Sequence, residues 1–290
     1  MNKKRSNPTG IPGVAFEYAR TAQSVLIDKL SSQIQFEREL GQVVRRKTSE
    51  HTAHKVDDLS DEILFSLLMK YPDFGWKIFT EEKGWVVNTA KKVDYKIICD
   101  PFCNTTLALK SFRESAVAVC LVDKDNSFVS CAIADLNTRR IFYADQEQVS
   151  TFVYENGSWV PYPAKVSDIT NLSDAFISLS SLKKKRREAV MNKDIFIKPG
   201  QLHCLDGAIF IGRTASGYID AYLDPYIGQP LYEVPCLEMI NRAGGIITDT
   251  DGSEFDLAKL IEDLEINPNA RYKFIAAATA ELHEEICNAL

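Results

Sequence analysis

Apolar residues recur at intervals of three and four between positions 14 and 30, where Val14, Ala15, Tyr18, Ala22, Val25, Leu26 and Leu30 would form one stripe of a helix. A second helix is predicted over 57–70. Asp57, Asp58, Asp61 and Glu62 crowd its start, as the positive end of a helix dipole favours. Ile63, Leu64, Leu67 and Leu68 supply its apolar face, and Tyr71-Pro72 stops it. The pattern then shortens to strands at 76–80 and 95–99, each followed directly by acids: Glu81-Glu82 after the first, Asp100-Pro101 after the second. Carboxylates at strand ends stand on a sheet rim, where loops converge on a ligand while the strands hold the backbone still.

From 116 to 163 the runs 116–122, 128–135, 140–144 and 152–155 are separated by turn-rich pieces such as Asp123-Lys124-Asp125-Asn126, which predicts an antiparallel meander. Beyond it, strands at 175–180, 218–223, 245–249 and 272–277 are interspersed with helices at 184–191, 206–215, 233–243 and 280–290. Gly244-Gly245 reads as the stop of a helix feeding a strand, because no G-x-G-x-x-G follows a strand here. This order predicts an α/β (α+β) protein of layered sheets and helices in one unit, 1–290. A division into subdomains 1–165 and 166–290 fits the loop-like stretch 161–174. No linker, repeat or low-complexity segment interrupts it.

Composition narrows the classes. With 34 basic against 40 acidic residues and a net charge of -6, the chain lacks the basic field with which nucleic-acid binders capture phosphate backbones, so no nucleic-acid partner is expected. The run Lys183-Lys184-Lys185-Arg186-Arg187 reads as a solvated helix face or loop, with an anion patch or targeting signal as the other reading. No apolar run approaches the roughly 18 residues of a membrane span. The charged start at residues 1–8 has no apolar region behind it, and a cytoplasmic protein without a membrane partner is expected. Seven cysteines, without a C-x-x-C pair, predict reduced thiols that are mostly core residues. His51 and His54 read as part of an exposed polar loop rather than as paired ligands.

The segment with the most chemistry is Asp100-Pro101-Phe102-Cys103-Asn104-Thr105-Thr106, shortly after Glu81-Glu82. Two strands each deliver carboxylates to a loop, and Mg²⁺ binds through one or two carboxylates while keeping waters or phosphate oxygens. By residue type alone, exposed loop acids are the other reading.

In the order of its pieces the chain resembles the inositol monophosphatase family of the fructose-1,6-bisphosphatase-like phosphatases. That family carries Glu-Glu after a strand, an Asp-Pro-Ile/Leu-Asp-Gly-Thr loop, and later Trp-Asp followed by Ala-Gly-Gly and a strand. The corresponding pieces here are Glu81-Glu82, Asp100 to Thr105, and Tyr232-Glu233 with Ala243-Gly244-Gly245. The stretches 214–222 and 274–278 are also similar, so the resemblance runs from about Asp57 onward.

The resemblance implies a layered αβαβα sandwich and a Mg²⁺-dependent phosphomonoesterase acting on a small phosphorylated polyol, sugar or nucleotide, as a homodimer. It implies that Glu81, Asp100 and the Phe102 carbonyl hold a first Mg²⁺, with Thr105 and Glu81 orienting water. Asp57 would contribute to an outer metal position, and Glu233, near the place of the family's late aspartate, would reach a metal or else be simply an acid in a helix first turn. Backbone amides around Asn104, Thr105 and Thr106 would receive phosphate at a helix start, and Asp206-Gly207 would stand where the family contacts substrate. Two departures lie in the loop itself: Cys103 where the family has aspartate, and Asn104 where it has glycine. A neutral thiol is a poor ligand for a hard ion, so one Mg²⁺ position is expected and the second is left open. A member that binds a phosphorylated ligand or a partner protein without hydrolysing it is the alternative; a third reading makes Cys103 a ligand or nucleophile.

Overall fold

The computed structural model describes residues 7–30, 33–46, 52–87, 91–112, 114–181 and 183–290. Residues 1–6 of the charged start, and His51, lie outside them. The chain divides into two units, Met1–Gln146 with Phe152–Pro161, and Glu147–Thr151 with Tyr162–Leu290.

In the first unit α1 (Gly13–Leu30) turns the predicted stripe inward, burying Val14, Ala15, Tyr18, Ala22 and Leu26. After α2 (Gln33–Glu39) and the short antiparallel pair β1 (Val43–Arg46) and β2 (Thr52–His54), α3 (Lys55–Leu68) runs over the predicted second helix. The strands β3 (Trp76–Thr80), β4 (Gly84–Val87) and β5 (Tyr95–Cys103) come next, then the one-turn helix α4 (Thr105–Ala108). The meander follows as β6 (Ala116–Asp123), β7 (Phe128–Asp135), β8 (Arg140–Asp145), β9 (Val149–Glu155) and β10 (Ser158–Pro163). These make one eight-stranded sheet in the order β10-β9-β8-β7-β6-β5-β3-β4, with β3 and β5 parallel and β5 through β8 antiparallel. Helices α1 and α3 pack on it, and the core between them joins Tyr18, Leu26, Leu64 and Leu68 to Trp76, Ile97, Val119 and Ala132.

The second unit holds a five-stranded sheet of order β12-β11-β13-β15-β14. Its elements in chain order are β11 (Phe176–Leu179), α5 (Lys184–Val190), β12 (Gln201–His203), α6 (Ala208–Ala215), β13 (Ala221–Pro230), α7 (Glu238–Arg242), β14 (Ile246–Asp249), α8 (Leu257–Ile266), β15 (Arg271–Ala277) and α9 (Ala280–Ala289). Its core joins Ile177, Leu179, Leu223 and Ile275 to Leu282 and Ile286 of α9. The result is the mixed α/β architecture, with two main sheets, that the element order predicts.

Four expectations need correction. The strand expected at 218–223 starts at Ala221 and runs on to Pro230, with an irregular register between Asp224 and Gln229. The helix expected at 233–243 is a turn at Glu233, a single 3-10 turn opened by Pro235, and then α7, because proline suits the first helical position and not the interior. Arg186, in the basic run, is not solvated: its side chain is 4% exposed and pairs with Asp206 and Asp224. His54 is buried at the start of α3 rather than in an exposed loop. Gly244, at φ +94°, and Gly245, whose N–H donates to Ile240 O, do end α7 and open β14. Among the described residues, no helix is long and apolar enough to cross a membrane.

Candidate functional site

The first group of site residues is assembled by β3, β5, α3 and α4. Thr80 of β3 pairs with Cys99 of β5 in parallel register, and the Glu81 N–H continues the ladder to Cys99 O at 3.3 Å. Glu81 and Asp100 therefore occupy neighbouring positions on adjacent strands, whose backbones run about 5 Å apart. Only Glu81-Glu82-Lys83 connects β3 to β4, closed by the pairing of Thr80 with Gly84, whose φ is +66°. Thr80 is fully buried and braces this turn: its Oγ1 accepts the Lys83 N–H at 3.2 Å and donates to Asp61 Oδ2 at 3.2 Å.

Asp100 lies inside β5 and not after it, which corrects the expected strand end. The register with β6 slips between Asp100 and Cys103, so Pro101 and Phe102 sit in a bulge. Bulges re-aim side chains and backbone, and here Asp100 Oδ1 accepts the Phe102 N–H at 3.2 Å. Phe102 O is left for Thr105, whose Oγ1 lies 2.9 Å from it and 3.3 Å from Asp57 Oδ1. One threonine hydroxyl thus links the bulge to α3.

Asp57 is the third residue of α3. Its Oδ2 accepts the His54 N–H at 2.6 Å, the reverse arm of a capping box. Burial, with the charges of Glu82 and Glu81 nearby, pushes its carboxyl up to about 8 despite those hydrogen bonds. Asp61, one turn on, is fully buried; desolvation pushes it up to about 6, against the pull of Lys83. Cys103 is buried and pairs across the sheet with Ala116. Asn104 takes φ 67°, a left-handed conformation that asparagine tolerates better than most residues. Its Nδ2 donates to Glu114 O at 3.0 Å, so the side chain is anchored in the loop. The amides of Thr105 and Thr106 open the first turn of α4, where helical N–H groups have no partner in the helix itself.

The donors fit one hard divalent ion. Glu81 and Asp100 carboxylates with the Phe102 carbonyl are hard oxygens of the number Mg²⁺ uses alongside water. Cys103, a thiol, offers no hard oxygen toward a second. Among the described residues no three His, Cys, Asp or Glu side chains converge as a ready-made cage.

Asp206, Gly207 and Glu233 belong to the second unit. Asp206 precedes α6 rather than starting it; its Oδ2 accepts from Ser180 Oγ at 2.8 Å and from Arg186. The Gly207 N–H donates to Tyr222 Oη at 3.0 Å, and Glu233 sits in the turn after β13, its N–H donating to Pro230 O. Tyr222 is fully buried, and burial with the charges of Asp206, Asp224 and Glu233 raises its hydroxyl well above the ordinary range. Thr80, Asp61, Lys83, Arg186 and Asp224 were not anticipated as site neighbours. For Asp61 alone a signal existed: it stands four residues after Asp57, on the same helix face.

A family model described as the inositol monophosphatase family matches residues 11–289. The fold is similar to that of the extragenic suppressor protein SuhB from Bartonella henselae, with TM-score 0.75 and 18% identity over 97% of this chain and 98% of that one. An inositol monophosphatase from Anabaena aligns at TM-score 0.66 and 18% identity, covering 96% and 94% of the two chains. The Thermotoga maritima IMPase aligns at 0.71 and 15%, covering 94% and 93%. Among curated proteins no sequence match was found.

Proposed function

The chain belongs to the inositol monophosphatase family, and from that premise we propose that it hydrolyses a phosphomonoester of a small polyol, sugar or nucleotide with the help of one Mg²⁺. The observation that carries the reading is the Thr105 hydroxyl held between Phe102 O and Asp57 Oδ1, beside the paired positions Glu81 and Asp100. Glu81, Asp100 and the Phe102 carbonyl would hold the ion, which when bound supplies Lewis acidity toward phosphate oxygen and eases deprotonation of water.

The chain's own groups do the rest. Thr105 Oγ1 has one proton to give and is tied on that side, so its lone pairs are offered to an attacking water. Glu81, on the turn, would take that water's other proton, which aims the oxygen at phosphorus. The first-turn amides of Thr105 and Thr106 receive the phosphate oxygens and fix the ester for in-line attack. The anchoring of Asn104 to Glu114 O keeps this turn in shape without the conformational freedom of a glycine.

Phosphate release from a panel of inositol, sugar and nucleotide monophosphates with Mg²⁺ or Mn²⁺ tests the reading. Release is expected, and its loss by at least a hundredfold in Glu81→Gln and Asp100→Asn; folded protein that releases none refutes it. Buried Cys103 and the raised carboxyl of Asp57 favour a second reading, a member that binds a phosphorylated ligand and does not turn it over. No release combined with thermal stabilisation by the same esters would select that one.

A further inference from the structure

The face of α3 that carries Asp57 continues one turn further to Asp61 and one more to Phe65, each four residues on and about 6 Å along the helix. Asp61 has none of its side chain exposed. Its Oδ2 is met by Thr80 Oγ1 at 3.2 Å and by Lys83 Nζ at 3.4 Å, while its Oδ1 is buried with no hydrogen-bond partner. Lys83, on the hairpin turn, folds back so that its Nζ also stands 4.4 Å from the centre of the Phe65 ring, and its side chain remains 31% exposed. Glu82, between Glu81 and Lys83 in the same turn, is 4% exposed, and its charge bears on Asp57 and Asp61 alike.

A buried carboxylate with an unmet oxygen is a costly arrangement, and a cation is what offsets it. Here the cation is supplied by the chain. An ammonium is a compact, strongly hydrated charge that seeks oxygen acceptors, as a hard divalent ion does. It reaches Asp61 from the solvent side over an aromatic face, and Asp61 Oδ1 is left over.

We propose that Lys83 Nζ is a built-in cation filling a divalent-ion position at Asp61, and that it thereby limits the site to a single exogenous ion. This rests on the hydrolase reading above for the first ion and goes beyond it by assigning a second, latent one. An ordinary surface ion pair would stabilise the turn and leave ion binding alone. A place-holding ammonium makes a sharper demand: shortening the side chain must uncover a new ion position at Asp61.

Mn²⁺ titration of the full chain, read by the loss of the free hexaaqua electron paramagnetic resonance signal, decides between them. Wild type and Lys83→Arg are expected to bind one ion, and Lys83→Ala two. The added ion must vanish in Lys83→Ala combined with Asp61→Asn, and must persist in Lys83→Ala combined with Glu81→Gln. Lys83→Ser carries the same expectation and replaces the alanine variant if circular dichroism shows that variant unfolded. An unchanged count in the alanine or serine variant, or an added ion that survives Asp61→Asn, overturns the proposal. A wild type that binds none removes the metal from the hydrolase reading, while the step from zero to one on shortening Lys83 still supports this inference.

Discussion

Replacing Arg186 by methionine tests how much of the second unit depends on one buried guanidinium. Arg186 reaches Asp206, Asp224 Oδ2 at 2.9 Å and Gly228 O at 2.9 Å with its side chain 4% exposed. Asp224 is 1% exposed; it also accepts from the Gly228 N–H and from Gln229 Nε2, each at 2.9 Å. Methionine fills the space but leaves the buried Asp224 and the half-buried Asp206 without their counter-charge. Breaking a buried pair by removing one partner costs about 3–5 kcal/mol, a large share of the roughly 5–15 kcal/mol that holds most domains folded.

The sign of the pH dependence follows from Asp224. Its carboxyl already lies above 3.8, because burial outweighs the pull of Arg186. Without the arginine its folded-state value climbs further, so the lost stability is felt in full at pH 7.5 and is recovered as the pH falls and the carboxyl takes up a proton. Urea unfolding followed by circular dichroism at pH 7.5 and 5.0 measures both. Arg186→Met should lose at least about 3 kcal/mol at the higher pH and visibly less at the lower. Adding Asp224→Asn to it should restore part of the loss at pH 7.5. A loss under about 1 kcal/mol, the scale of an exposed surface pair, refutes the reasoning.

Two further outcomes are expected. Burial holds the Asp61 carboxyl at about 6 against 3.8, so its contribution to stability is complete below about pH 4 and is lost as the pH rises through 6. The loss amounts to about 3 kcal/mol, and urea unfolding at pH 4.0 and 7.0 should show Asp61→Asn gaining on the wild type by that margin; parallel pH profiles would contradict it. A Cβ on Gly245 would meet Ile240 Cγ2 at 2.7 Å and Ala277 O at 2.8 Å. Gly245→Ala should therefore cost about 1–3 kcal/mol and lower the melting temperature, and an unchanged melt would show that the α7–β14 junction gives way.

What the sequence made legible was what local periodicity encodes. The stripe came through from Val14 to Leu26 except for Val25, which is exposed, as did the acid-rich start of α3, and β7 matches its predicted span residue for residue. Helix α8 was readable and overlooked: Asp256 caps it through the Lys259 N–H, and Leu257, Leu260, Ile261 and Leu264 repeat at three and four. Arg186 was hidden by its company. Five cations in a row look alike, and only the partner four residues on, buried Val190, marks which one shares the inward face of α5. The bulge at Pro101-Phe102 and the contact of Thr80 with Asp61 were beyond local reading, because the first is set by pairing with β6 and the second spans 19 residues.

The departures in the Asp100–Thr105 loop are consistent with one another when weighed as charges. Burial first, and the charges of Glu82 and Glu81 after it, push the Asp57 carboxyl up to about 8. An aspartate at 103 would add a carboxylate to a position that is 4% exposed and opposite Ala116, and would raise the Asp57 carboxyl further. The thiol avoids that repulsion. What the loop keeps is its backbone work: the bulge that frees Phe102 O, the left-handed turn at Asn104, and the opening amides of α4.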